Sequence, residues 1–362
     1  MVKSAYIHIP FCQSKCYYCS FVSYTDMSKK REYLKALENE INSTYNKEVL
    51  NTLYIGGGTP STLSSVEISN ILKHFNLKDD SEITVEINPD DANYDYLREL
   101  FDIGVNRLSF GAQSFDDEIL EKINRRHNGV QIVQAVKNAQ NAQFNNISLD
   151  FIYGLPSQTI DMFVSDLNKA VGLGVEHISL YGLTIDENCY FASHRPKNLP
   201  DDDAQADMYL KAIETLTNSG FEHYEISNFC KKGFESKHNL NYWDNCEYYG
   251  FGAAASGYLN GVRYTNQKTL TKYIENPLVK IEEFIETPQK ELEEEIFLGL
   301  RKMSGINSYK ISQKFDINFE EKYSSVLKKY IELNLLKKSG GNYSLTPEGV
   351  LVSNTIMSEF LE

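Results

Sequence analysis

Hydrophobic and polar residues recur with two different periods along the first half of the chain. Between residues 29 and 50, Tyr33, Leu37 and Ile41 follow one another at steps of four, the spacing of one face of an α-helix. The stretch "SEITVEINP" instead alternates residue by residue, as a strand does, and it stops at a proline. The pattern therefore predicts strands and helices in alternation.

Six strands are predicted by residue 184, with helical segments between them. They lie in "SAYIHI", "NTLYIGGGTP", "SEITVEINP", "VNRLSFGAQS", "NISLDFIYGLP" and "VEHISLYGLT". Alternation of this kind implies parallel strands joined by right-handed helical crossovers. A closed barrel of eight units needs more strands than these. We therefore predict an α/β fold built on an incomplete, open (β/α)6 barrel.

The alternation breaks near "NLPDDDAQADMYLKAIETLTNSGF". Residues 221–265 are rich in aromatics and glycine, and a compact helical tail begins near residue 290, with a small hairpin predicted at "LLKKSGGNYSLT". We predict three parts: a barrel domain over 1–220, an aromatic and glycine-rich segment over 221–285, and a smaller helical, winged-helix-like domain over 286–362. The tail is interpreted as a packing domain, because an acidic chain fits DNA badly.

Composition narrows the classes of function. The 362 residues carry a formal net charge of −14, which disfavours both nucleic acid and anionic lipid as partners. No apolar stretch approaches the roughly 20 residues of a membrane span, and no signal-peptide pattern is present. We expect a cytoplasmic protein without a transmembrane segment, in which thiols stay reduced and clustered cysteines indicate metal binding or catalysis.

Three of the six cysteines stand close together near the amino end of the chain. Cys12, Cys16 and Cys19 follow a C-x3-C-x2-C spacing directly after the first predicted strand. Three thiolates on a short loop can hold three corners of a [4Fe–4S] cluster and leave one iron open. A structural zinc site that adds His8 is the alternative. The isolated cysteines are predicted to be small buried residues: Cys189, Cys230 and Cys246.

This cysteine motif resembles that of the radical S-adenosylmethionine (SAM) enzymes. The wider phrase "YIHIPFC…CYYCSF" is similar to the oxygen-independent coproporphyrinogen oxidase group, including its HemW-type haem chaperone branch. The likeness continues through "GGGTPSTL", "VEINP", "RLSFGAQSF", "RRHN" and "LDFIYGLP" into the tail. It implies a radical SAM barrel, in which the open iron chelates the amine and carboxylate of SAM.

Two features of the sequence favour the chaperone branch. Phe21 stands where the coproporphyrinogen dehydrogenases of the group have a further cysteine. "HNLNYW", residues 238–243, matches the H-N-x-x-Y-W pattern associated with haem binding in the chaperone branch. The resemblance implies that His238 is an axial ligand of haem b and that Asn239, Tyr242 and Trp243 belong to the same site. A buried structural histidine is the alternative for His238.

The resemblance also implies a set of residues around SAM. A carboxylate at Glu86 would face the SAM hydroxyls or amine, and Gln113, Arg125 and Asp150 match positions that touch a second SAM in related oxidases. The complete predicted set for the cluster and SAM comprises Cys12, Cys16, Cys19, Tyr6, Tyr18, Gly57, Gly58, Thr59, Glu86, Gln113, Arg125, Asp150 and Thr184. Plain packing is the alternative for the two tyrosines.

Three functions follow as hypotheses. The favoured one is a haem chaperone that carries a SAM-binding [4Fe–4S] cluster and delivers haem to apoproteins such as membrane cytochromes, with transient contact at the membrane and formation of a homodimer as further expectations. The second is an oxygen-independent coproporphyrinogen III dehydrogenase that uses a 5′-deoxyadenosyl radical. The third is a zinc-stabilised scaffold with a DNA-reading tail.

Overall fold

The main sheet contains the six predicted strands in their order along the chain. The computed structural model of the protein describes residues 2–285 and 287–361. Six parallel strands form the barrel wall: β1 (Ser4–Ile9), β2 (Val49–Gly57), β3 (Asn76–Ile87), β4 (Arg107–Gln113), β5 (Ile147–Tyr153) and β6 (His177–Gly182). The prediction of an open, six-unit parallel barrel is confirmed.

Three short strands extend this sheet at its two edges, and the sequence did not predict them. They are β7 (Glu222–Glu225), β8 (Asn228–Cys230) and β9 (Tyr249–Phe251). The sheet order is β7-β8-β6-β5-β4-β3-β2-β1-β9, with β9 parallel to β1 and β8 antiparallel to β6. Residues after both β1 and β6 line one cavity, so the sheet curves around it.

The helices between and just after these strands are α1 (Lys30–Thr44), α2 (Ser65–Leu72), α3 (Tyr94–Asp102), α4 (Asp117–Lys122), α5 (Gly129–Asn141), α6 (Ile160–Gly172), α7 (Tyr190–Ser193) and α8 (Asp202–Asn218). The hydrophobic periodicity predicts helical segments at α1, α2, α3, α5 and α6, whereas α4, α7 and α8 were not predicted. One boundary is wrong: the helical stretch predicted over 29–50 stops at Thr44. Tyr45 follows the helix with an extended backbone (φ −80°, ψ 118°), which ends it, and Val49 already begins β2.

The barrel strands alternate between an apolar outer face and a polar inner face. The outer residues are fully buried under the helices, as with Leu108 and Phe110 of β4 or Leu149 and Phe151 of β5. The inner face carries Thr84, Glu86, Arg107, Ser109, Ser148, Asp150, His177 and Ser179. Side chains on a strand alternate between its two faces, so one sequence pattern supplies both a hydrophobic shell and a polar interior.

The remainder of the chain forms further helices and two small antiparallel sheets. The helices are α9 (Lys237–Trp243), α10 (Leu270–Glu275), α11 (Pro288–Gly299), α12 (Ser308–Phe315), α13 (Phe319–Lys322), α14 (Ser324–Glu332), α15 (Pro347–Leu351) and α16 (Ser353–Ser358). One sheet holds β10 (Ser256–Leu259), β11 (Val262–Asn266) and β12 (Lys280–Ile285); the other holds β13 (Ile306–Asn307), β14 (Leu336–Ser339) and β15 (Asn342–Leu345). The predicted hairpin is the β14–β15 pair.

The described part of the chain forms two hydrophobic cores. The first joins the barrel strands and helices and extends to Tyr273 of α10. The second contains tail residues from Leu292 to Phe360 together with Tyr209 of α8. Residues 1, 286 and 362, at ends of the predicted domains, lie outside the described residues, and the three-part division stays a prediction. Within the described ranges, no helix has the length and apolar character to cross a membrane.

Candidate functional site

A cavity of about 430 Å³ opens at the carboxyl ends of the barrel strands. Carboxyl ends are where the loops of parallel barrels gather their functional side chains. The structure brings to this cavity twelve of the thirteen residues predicted for the cluster and SAM: Cys12, Cys16, Cys19, Tyr18, Gly57, Gly58, Thr59, Glu86, Gln113, Arg125, Asp150 and Thr184. We name it the cysteine cavity.

The loop that carries the three cysteines is held by backbone hydrogen bonds. The Cys12 N–H donates to the Tyr24 carbonyl at 3.0 Å, and the Tyr24 N–H donates to the Pro10 carbonyl at 2.8 Å. The Asn124 side-chain amide donates to the Lys15 carbonyl at 2.8 Å, which fixes the loop to the segment after α4. These bonds hold the loop over the open end of the barrel.

Each of two thiols receives a hydrogen bond from a neighbouring side chain. Thr59 Oγ1 donates to Cys12 Sγ at 3.4 Å, and Arg125 Nη1 donates to Cys16 Sγ at 3.3 Å. Burial raises the pKa of the Cys12 thiol and raises that of the Cys19 thiol to about 11. Without a metal, Cys12 and Cys19 therefore keep their protons at neutral pH, and metal binding releases these protons.

The glycines after β2 let the chain pass close to the cysteine loop. Gly57 has a φ of +115°, and a Cβ there would lie 2.7 Å from the His8 ring. A Cβ on Gly58 would lie 2.8 Å from the Phe11 carbonyl oxygen. The Thr59 N–H donates to that same carbonyl at 2.7 Å. A side chain at either glycine would push the loop away from the barrel.

Glu86 stands at the end of β3 with its carboxylate inside the barrel. It accepts hydrogen bonds from the Tyr54 hydroxyl at 2.8 Å and the Gly57 N–H at 3.1 Å. Burial raises the pKa of the Glu86 carboxyl to about 7. The group is therefore near its titration point at neutral pH, and a cationic ligand beside it would favour the ionised form.

Arg125 joins three walls of the cysteine cavity. Besides its bond to Cys16, its Nη2 donates to the Asn88 side-chain oxygen at 2.9 Å and to the Gly111 carbonyl at 2.6 Å. The planar guanidinium can make these contacts at once because its five N–H groups diverge in a fixed fork. Arg125 thus places a fixed positive charge beside the thiols.

The other predicted SAM residues take different positions. Asp150 accepts hydrogen bonds from Ser109 at 2.8 Å and Ser148 at 3.1 Å, and burial raises the pKa of its carboxyl. Gln113 is buried with a φ of 63°, and Thr184 lies exposed at the cavity wall. These residues come from the ends of β4 and β5 and from the loop after β6, so one cavity gathers three separate strand ends.

Tyr6 does not line the cysteine cavity. Its hydroxyl donates to His8 Nδ1 at 3.0 Å, and His8 Nε2–H donates to the Val22 carbonyl at 2.9 Å. Both ring nitrogens of His8 are therefore engaged within the barrel, and burial lowers the pKa of this imidazole. This geometry argues against the zinc site that would add His8 to the three cysteines.

The "HNLNYW" motif forms α9 at the opposite end of the barrel. The His238 and Lys237 backbone N–H groups donate to the Glu82 carboxylate at 3.0 and 3.1 Å. Glu82 pairs across the sheet with Thr52, and Thr52 pairs with Ser4, the first residue of β1. The motif therefore closes the amino end of the barrel, away from the three cysteines.

The His238 side chain has the environment of a structural histidine. It is 1% exposed, its Nδ1 lies 2.8 Å from Thr52 Oγ1, and its Nε2 lies 2.7 Å from the Tyr242 hydroxyl. Burial lowers the pKa of the imidazole to about 3. Both ring nitrogens have partners in this arrangement, so an iron atom could bind here only after one of these hydrogen bonds breaks.

Two other motif residues, Tyr242 and Trp243, face the tail. Tyr242 and Trp243 line a second cavity of about 220 Å³, together with Asn245, Cys246, Tyr248, Arg263 and Leu298. Cys246 is exposed, so the prediction that it is buried is wrong, whereas Cys189 and Cys230 are buried as predicted. The Arg301 guanidinium lies 4.4 Å from the centre of the Trp243 ring. The Asn239 N–H donates to Ser236 Oγ at the start of α9. The motif thus connects the barrel to the tail.

Comparison with known proteins agrees with this arrangement. The model of the Radical SAM superfamily matches residues 6–170, and the model of the HemN C-terminal domain matches residues 287–352. The protein named heme chaperone HemW in Lactococcus lactis subsp. lactis is 40% identical over 99% of this chain and 97% of its own length. Its namesake in Bacillus subtilis is 40% identical over 99% of both chains.

The chain belongs to the HemW family of radical SAM proteins. A solved structure of coproporphyrinogen III oxidase (HemN) from Escherichia coli has the same fold, with a TM-score of 0.88 and 24% identity over 99% of this chain and 90% of that one. The α/β barrel with a smaller helical C-terminal domain, predicted from the sequence, is confirmed by these matches.

Membership of the radical SAM superfamily implies a [4Fe–4S] cluster and SAM, and the cysteine cavity of this HemW-family chain fits them. All three cysteines are free thiols on one cavity wall, which is the donor set of such a cluster. No three His, Cys, Asp or Glu side chains of the described residues already converge as ligands of one metal ion. Convergence on one point is unnecessary, since each thiolate of a cluster binds a different iron.

Several residues of the cysteine cavity were missed by the sequence analysis. Tyr54, Asn88, Ser109, Gly111 and Tyr181 all line it. Each lies on a barrel strand or directly after one. The signal that could have found them is the two-residue alternation itself, which places them on the same inner face as Glu86 and Asp150.

Proposed function

We propose that the protein is a haem chaperone that binds haem b and passes it to apoproteins. The observation that carries the proposal is the similarity to heme chaperone HemW proteins, which extends over 99% of the chain at 40% identity. Phe21 adds to it, since this side chain lines the cysteine cavity, is 66% exposed, and supplies no further thiol. Haem-accepting apoproteins, such as membrane cytochromes, are the proposed partners.

The proposed cofactor site is the cysteine cavity. Cys12, Cys16 and Cys19 would hold the cluster, whose open iron supplies a binding point for the amine and carboxylate of SAM when both are bound. The chain's own contribution is a fixed environment: Glu86 offers a carboxylate, and Arg125 offers a positive charge held by three hydrogen bonds. The proposal also includes the second SAM pocket near Gln113 and Asp150, a cytoplasmic location with transient membrane contact, and a homodimer.

The proposal is tested by haem titration of anaerobically reconstituted protein, with and without SAM. We expect stoichiometric haem uptake, followed by transfer of the haem to an apo-cytochrome that is added afterwards. The same sample is then assayed with coproporphyrinogen III, SAM and a reductant, where we expect no protoporphyrinogen. Formation of protoporphyrinogen at enzymatic rates, without haem uptake, would contradict the chaperone function and favour the dehydrogenase. Zinc in place of iron and sulfide would favour the scaffold.

A further inference from the structure

A stack of three aromatic rings lies beside the cysteine cavity. Tyr17, which follows Cys16 in the cysteine loop, stacks on Tyr190 with ring centres 4.3 Å apart. Tyr190 stacks in turn on His194, with centres 4.1 Å apart and the two planes within 1° of parallel. The Phe191 N–H donates to the Tyr17 carbonyl at 3.0 Å, which ties α7 to the cysteine loop. The stack therefore holds an exposed imidazole in a fixed direction.

One of the two ring nitrogens of His194 has a hydrogen-bond partner. Ser193 Oγ lies 3.2 Å from the Tyr190 carbonyl oxygen and 2.9 Å from His194 Nδ1. With Nδ1 engaged by the serine, Nε2 is the ring nitrogen left for a metal. A second ring nitrogen held in this way is the usual arrangement in metal-binding histidines.

Nε2 of His194 is free to bind a metal. It has no hydrogen-bond partner within residues 2–285 and 287–361, and the side chain is exposed. Stacking on Tyr190 does not block it, because a metal approaches a ring nitrogen within the ring plane and the tyrosine covers a face. The ring nitrogens of the other six histidines contact neighbouring groups in His8, His74, His127, His177, His223 and His238.

Two cations follow this histidine in the sequence "HRPK". Arg195 and Lys197 are both exposed, and neither makes an ion pair with another residue in the described ranges. They place two positive charges next to His194 in the sequence of a chain whose formal net charge is −14. Haem presents an iron that accepts an imidazole and, at one edge, two propionates that attract cations.

We propose that His194 is the axial ligand of haem on this protein, with Arg195 and Lys197 binding the propionates. This inference rests on the proposed haem chaperone function and gives that function a surface site beside the cysteine loop. A haem bound there remains accessible to a recipient protein. A ligand from the recipient can form its bond to iron as the bond to Nε2 breaks, with no change in oxidation state.

The test compares haem titrations of the cluster-loaded full chain and two single variants. We expect His194→Ala to raise the Kd for haem at least ~10-fold and to abolish the Soret band of the imidazole complex. His74→Ala removes a different histidine, which lies just after α2, and serves as the matched control. This variant should keep the wild-type Kd and spectrum. Iron and sulfide contents equal to wild type show that each variant is folded.

A second probe separates the two parts of the site. Metal-free protoporphyrin IX should bind the wild type and His194→Ala equally, and the double variant Arg195→Glu, Lys197→Glu should bind it more weakly. Haem bound by His194→Ala with the wild-type Kd and spectrum would overturn the inference and leave the chaperone function standing. A wild-type protein that binds no haem would remove both.

Discussion

At the scale of single residues, the same side-chain type takes different roles according to what surrounds it. His238 is buried between Thr52 and Tyr242, whereas His194 lies exposed and stacked on Tyr190. The sequence motif identified His238 as special, and the structure shows that its partners are inside the protein. No motif marks His194, because its role depends on a ring stack and a serine hydrogen bond that form only in the folded chain.

His238→Ala is expected to destabilise the fold. The change leaves Thr52 and Tyr242 without a buried partner and opens a cavity at the amino end of the barrel, and we expect a loss of about 3 kcal/mol in the free energy of unfolding. Anaerobic urea denaturation followed by circular dichroism measures it. The partly exposed His74→Ala should cost less than about 1 kcal/mol. A His238→Ala protein as stable as wild type would contradict a structural role.

At the scale of elements, strand alternation explains most of what could be predicted. The resemblance gave Glu86 and Asp150, and the alternation explains why both face inward, since hydrophobic outer residues fix which residues point into the barrel. Tyr6 shares that inner face, yet its hydroxyl turns to His8 and leaves the cavity. The short strands β7 to β9 were not predicted, because a segment of three or four residues is too short to show the alternation of a strand. Their place in the sheet depends on pairing with distant β6 and β1.

Glu225 on β7 makes stability depend on pH. Its carboxylate is 0% exposed, and burial raises its pKa from 4.5 to about 7. Between these two values the folded state binds more protons than the unfolded state. The free energy of unfolding therefore falls as pH rises through this window, by about 3 kcal/mol, and is level above it.

Glu225→Gln should remove this contribution. We expect the difference in unfolding free energy between variant and wild type to move in the variant's favour by about 3 kcal/mol from pH 5 to pH 8. Glu222→Gln, at an exposed position of the same strand, serves as the control and should keep the wild-type slope. Urea unfolding curves at a series of pH values measure both. Parallel pH profiles for wild type and Glu225→Gln would show that the carboxyl is not responsible.

At the scale of the whole molecule, α9 connects two hydrophobic cores. Its Trp243 lies under the Arg301 guanidinium, and Asp244 pairs with Lys302. The tail is also joined to β7 through the Met303 N–H, which donates to the Tyr224 carbonyl at 3.0 Å. The fold class and the helical tail were predictable from periodicity and resemblance. This junction was not, since it depends on contacts between segments some 60 residues apart.

Trp243 is the single tryptophan of the chain, so its fluorescence reports on that junction. Arg301→Ala uncovers one face of the indole and removes a cation–π contact worth about 1 kcal/mol. We expect a red-shifted emission maximum and a tail that unfolds at lower urea concentration. Arg98→Ala, which removes a cation over Phe101 instead, should leave the emission unchanged. Identical spectra for Arg301→Ala and wild type would contradict this junction.

The central claim is that the three thiols of the cysteine cavity hold a [4Fe–4S] cluster with one iron open to SAM. Mössbauer spectroscopy of anaerobically reconstituted, 57Fe-labelled protein tests it most directly. We predict the spectrum of a [4Fe–4S] cluster in which one iron of the four changes its isomer shift when SAM is added. A spectrum without such a cluster, or one in which all four irons are unaffected by saturating SAM, would contradict the account.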